Sequence, residues 1–178
     1  MRAPTLFLAS AVLALSGLAL AQSPGPAPAP AGGWDVSTLA GKWTYRSFIN
    51  DPTICCQDPD QNVDAQNLLG LLFAEATFTF QLPSPTTLTG AIDWQGGGLD
   101  LQGTVTAGDG QPSVKIVGTG RPKTSTENWE YDYEGRLAFR WPNGVNQVPA
   151  LVGSVFRAKP HDGNPAGLVA SFIAVKQP

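Results

Sequence analysis

A few clusters in this 178-residue chain have side-chain types and spacings that could do chemistry. Cys55 and Cys56 are the only cysteines, and they are adjacent. Neighbouring cysteines cannot staple distant segments. The pair is expected to close as a vicinal disulfide ring, against two other readings, a bridge to another chain or two free thiols. A soft-metal site would want more thiolates or histidines than this stretch supplies. Just downstream, Asp58, Asp60, Asn62 and Asp64 set oxygen side chains at alternate positions, the spacing by which calcium loops fold ligands around a hard cation. Val63 stands where such a loop needs glycine and Leu69 where it needs a bidentate glutamate. A solvated acidic loop is therefore the stronger reading and calcium the weaker, and no other cofactor is predicted. His161, the sole histidine, lies beside Asp162 and reads as a solvated loop residue. Glu75, Asp93 and Asp100 would form an acid–base pair only if folding brought them together, and polar strand positions usually face water. No nucleophile elbow, Walker A loop or dinucleotide fingerprint occurs.

The elements that must carry these residues are strands. From Trp129 to Trp141 the chain alternates strictly: Trp129, Tyr131, Tyr133, Leu137, Phe139 and Trp141 fall on one face with Gly135 between them, and charged residues fill most of the other. Successive strand side chains point to opposite faces, so the aromatic stripe faces an interior. This run is longer than one barrel wall needs, which predicts a bend or bulge at Gly135. Similar alternation recurs around Trp43 and Tyr45, Phe78 and Phe80, Ile92 and Trp94, Leu99 and Leu101, and Val114 and Ile116. With two further strands at the C-terminal end the count is eight. The residues between 50 and 67 make a long loop, predicted to pack over one end of the fold. The expected class is all-β, an eight-stranded, mostly antiparallel up-and-down barrel whose closure removes exposed edges, with a β-sandwich as the alternative. The last two strands are apolar on both faces, so something is expected to cover them: the chain's own terminus or a second subunit.

Residues 1–21 read as an export signal: Arg2, an apolar core from Leu6 to Leu20, and Ala19-Leu-Ala21 before the cleavage point. Residues 22–33 are a Pro/Ala-rich linker, and 34–178 form one domain. The expected location is secreted, periplasmic or at the cell envelope, with no transmembrane segment in the mature chain. The net charge is −3, but no Lys or Arg occurs between Ser47 and Val114, and eight of the basic residues follow. A basic nucleic-acid footprint is absent, so nucleic acid is not an expected partner.

Gly41-Lys-Trp43, following Leu39, resembles the Gly-x-Trp opening of the calycins, the lipocalin and avidin-like barrels. The resemblance implies a barrel whose tryptophan closes the bottom and whose open mouth holds a small molecule. The expected function is binding of a small apolar or aromatic ligand without catalysis, in a cavity formed by Trp43, Tyr45, Phe78, Phe80, Trp94, Tyr131, Tyr133, Phe139 and Trp141. Two other functions stay open: a structural or interaction subunit of an envelope assembly, with a homo-oligomer through the last two strands, and a barrel enzyme of the cyclase or isomerase type.

Overall fold

A computed structural model describes residues 35–50, 70–107, 111–138 and 147–178, all within one compact unit, Gly33–Pro178. After a 3-10 turn at Val36–Leu39 come eight strands: β1 (Gly41–Ile49), β2 (Leu72–Ser84), β3 (Thr87–Trp94), β4 (Gly97–Thr106), β5 (Ser113–Gly120), β6 (Glu130–Leu137), β7 (Ala150–Arg157) and β8 (Val169–Lys176). Each pairs antiparallel with its sequence neighbour, and β8 returns to β1 to close the barrel. The sandwich alternative fails because no strand is left with an unpaired edge. Among the described residues no helix is long and apolar enough to cross a membrane.

The expected bulge at Gly135 is absent. Gly135 pairs in unbroken register with Val114 on one side and Gly153 on the other. The register slips instead at Ser47/Phe48 and between Gln81 and Ser84. Gly135 serves packing: a Cβ there would come within 3.0 Å of Phe172 Cζ. Trp129 stands just before β6, its carbonyl accepting the Gly120 N–H. Phe139 and Trp141 lie outside the described residues.

Inward residues alternate along every strand, and the lower half of the interior is solid. Trp43, Phe78, Leu88 and Leu99 have no exposed surface. Phe78 stacks on Phe80 at 4.8 Å and meets Tyr45 edge-on at 4.7 Å, a geometry that suits the ring quadrupoles. The bottom is closed by the 3-10 turn: the Trp43 indole donates to Leu39 O at 2.9 Å, and Lys176 Nζ lies 5.3 Å from the Trp43 ring. Lys176 also donates to the carbonyls of Thr38 and Ala40. Burial lowers its pKa.

The doubly apolar final strands are not covered by this chain's described segments. Val152, Phe156, Val169 and Ile173 point outward and stay 40–47% exposed. The C-terminus follows β1 instead, with the Gln177 N–H on Lys42 O. The uneven charge along the sequence resolves across strands. Arg121, from the second half, binds Asp93 at 2.7 Å and Asp100 at 2.8 Å, and Arg46 binds Glu75 at 2.6 Å.

Candidate ligand-binding site

Up-and-down order puts the C-terminal ends of β1, β3, β5 and β7 at one end of the barrel, opposite the Trp43 plug. At that end lies a cavity of about 360 Å³. Its floor is Tyr45, Tyr133, Ile92 and Leu99, its wall Phe73, Ala74 and Ala76, and its rim Trp94 and Trp129. The small side chains of Ala74 and Ala76 continue the inward face on which Phe78 and Phe80 fill the lower half. The interior changes from packed to hollow where β2 changes from Phe to Ala.

The rim is built by the β5–β6 loop. Arg121 is pinned to Asp93 and Asp100 and donates through Nη2 to Leu99 O at 3.3 Å. The buried Thr126 hydroxyl donates to Gly98 O at 2.8 Å. These contacts seat Trp129 beside Trp94, with ring centroids 6.1 Å apart and planes 20° off parallel. Asp93 and Asp100 do meet, but on a guanidinium, so they act as a clamp rather than an acid–base pair.

The polar side of the cavity comes from the top of β6, the top of β7 and the loop after it. Arg157 sits opposite Tyr131 in the β6–β7 register. It continues the inward face of Leu151 and Val155 and is only 6% exposed. Its Nε donates to the Tyr131 hydroxyl at 3.1 Å and its Nη1 to Pro165 O at 3.2 Å. The guanidinium carbon lies 5.8 Å from the Phe73 ring and 6.0 Å from the Tyr131 ring. The Tyr131 hydroxyl is 2.7 Å from His161 Nε2. An arginine can only donate, so the Tyr131 oxygen accepts from Arg157, and the same hydroxyl makes a second hydrogen bond with Nε2. His161 Nδ1 lies 3.6 Å from Asp162 Oδ2, too far for a hydrogen bond, and has no hydrogen-bond partner among the described residues.

His161 is not the solvated loop residue the sequence suggests. Its side chain is 9% exposed and stacks on Trp129 at 3.8 Å and 18°. A two-residue turn puts it there: Asp162 and Gly163 take φ of 50° and 74°, while His161 and Asn164 exchange backbone hydrogen bonds of 3.1 and 2.8 Å. Asp-Gly suits this positive-φ hairpin turn. Burial, and then the Arg157 charge, push the His161 pKa below its usual range against the pull of Asp162. Below them, burial pushes the phenols of Tyr45 and Tyr133 far up, so both stay protonated.

Of the residues expected to form the cavity, Tyr45, Trp94, Tyr131 and Tyr133 line it, whereas Trp43, Phe78 and Phe80 fill the barrel below it. Phe139, Trp141, the Cys55–Cys56 pair and the candidate metal residues Asp58, Asp60, Asn62 and Asp64 lie outside the described residues. Arg157 escaped the sequence reading, although its parity with Leu151 and Val155 already pointed it inward. Its energetic position is unusual. Taking an ion out of water costs several kcal/mol, about as much as two hydrogen bonds from a charged donor return. Among the described residues no carboxylate lies within 4 Å of it. Comparison with protein-family models, with curated proteins and with solved structures gave no match.

Proposed function

We propose that this barrel is a non-catalytic binding protein that holds one small molecule with a flat apolar body in its mouth cavity. The observation that carries this reading is the 360 Å³ hollow between the Trp94–Trp129 rim and the Tyr45–Tyr133 floor. It falls in the usual size range of small-molecule sites, and apolar walls with a few convergent polar groups are the usual construction of such sites. The plugged bottom, with Trp43 on Leu39 O, supports a calycin-like barrel open at one end. The export signal in the sequence supports a location outside the cytoplasm. The Arg157–Tyr131–His161 chain favours binding over catalysis: His161 Nε2 is engaged with the Tyr131 hydroxyl at 2.7 Å rather than left free to face the cavity.

Fluorescence titration with N-phenyl-1-naphthylamine, an uncharged flat probe, tests the reading. One-to-one binding with blue-shifted emission is expected, and Ala76→Phe should abolish it by filling the hollow. Failure of both this probe and its charged relatives to bind would end the proposal.

A second reading, an interaction subunit, is favoured by the outward stripe of Val152, Phe156, Val169 and Ile173. In the register these residues form two cross-strand pairs, Val152 with Ile173 and Phe156 with Val169, on either side of the exposed Ser154–Ser171 pair. Light scattering on the full chain should give a concentration-dependent dimer that Phe156→Glu dissociates. A strict monomer at high concentration would remove the homodimer.

A further inference from the structure

We infer that the ligand is an organic acid, with a single carboxylate seated on Arg157 and its apolar body extending towards the Trp94–Trp129 rim. This rests on the binding reading above and names the chemistry of its ligand. Arg157 is a buried cation lining the hollow, and its described partners, the Tyr131 hydroxyl and Pro165 O, are both neutral. Its Nη2 makes no hydrogen bond among the described residues.

Among the described residues the acids nearby are committed elsewhere. Glu130 holds Lys159 at 2.6 Å, Glu75 holds Arg46 at 2.6 Å, and Asp162 faces His161. A guanidinium fork matches a carboxylate with two parallel hydrogen bonds, and such charge-assisted bonds gain strength where water is excluded. Tyr131 and Pro165 restrain the guanidinium in advance, and His161 holds the Tyr131 hydroxyl in place at 2.7 Å. Little side-chain freedom is then lost on binding. One arginine balances one negative charge, so the site suits a monoanion rather than a phosphate dianion. A cationic ligand would meet repulsion in the same place.

Isothermal titration of the full chain at pH 7 with 2-naphthoate and 2-naphthylmethanol tests this, because the two share a body and differ in charge. Naphthoate is expected to bind about tenfold tighter or more, the range expected of hydrogen bonds to a charged group. In Arg157→Met the two affinities should become about equal. Arg157→Lys keeps the charge and loses the fork, so it should retain part of the preference, and it also serves should the Met variant fold poorly. Equal affinities in the wild type, or a naphthoate preference undiminished in either variant, would overturn the inference while leaving the cavity reading intact. Binding of neither compound would instead overturn the binding reading itself.

Discussion

Replacing Arg157 by Met in the ligand-free protein should change stability little, an uncommon expectation for a residue only 6% exposed. The substitution removes the 3.1 Å bond to the Tyr131 hydroxyl and the 3.2 Å bond to Pro165 O. Bonds from a charged donor are worth about 1.5–3 kcal/mol each, and these long ones to neutral acceptors belong at the low end. The contacts with the Phe73 and Tyr131 rings, near 6 Å, add about 0.5–1 kcal/mol apiece. Against this total of roughly 4–5 kcal/mol stands the several kcal/mol of desolvation that an apolar Met does not suffer. Met also retains much of the packing of the arginine stem, and Tyr131 keeps its hydrogen bond with His161. The difference is within about 1–2 kcal/mol of zero. In a domain of this size each kcal/mol moves Tm by about 2–4 °C, so the shift should stay under about 8 °C in either direction. Calorimetry at pH 7 measures it. Were a carboxylate already paired with Arg157, removing the cation would strand that acid at a cost of about 3–5 kcal/mol. A fall in Tm of 10 °C or more, as a loss of that order would give, would refute the unpaired-cation argument.

Three further outcomes follow from the same geometry. The His161 pKa is lowered on folding from its ordinary 6.5, so as pH falls the unfolded chain takes up the proton first. Stability should drop as pH falls from about 6.5 towards the folded pKa and then level off, and His161→Gln should flatten that part of the Tm-versus-pH curve; an unchanged slope would contradict the assignment. Gly135→Val would drive a side chain onto Phe172 Cζ, 3.0 Å from the ideal Cβ, and should cost about 1–3 kcal/mol in urea melts through overpacking. Trp43→Phe would leave the buried Leu39 carbonyl without its indole donor and should cost about 1–3 kcal/mol, while N-phenyl-1-naphthylamine affinity at the far end of the barrel stays unchanged.

The alternation of apolar and polar residues was enough to specify eight strands, their order and the side chains that point inward, because a strand's side-chain period of two is a local property of the backbone. The same alternation already aimed Arg157 into the barrel beside Leu151 and Val155. It carries no information about height along the barrel axis, so Phe78 and Tyr131, equally inward in sequence, end up in packed core and in cavity wall respectively. Height is set by cross-strand register, which pairs Tyr131 with Arg157 and Gly135 with Gly153. Register also explains why Gly135, read as a bulge, is a space for Phe172. Pairing of β3 with β4 and of β4 with β5 brings Arg121 onto Asp93 and Asp100 from more than twenty residues along the chain. A two-residue turn alone could fold His161 back over Trp129. The sequence by itself determined which side chains face inward. The tertiary structure decided at what height each sits and beside which partner, because pairing between strands is a long-range choice that no local pattern encodes.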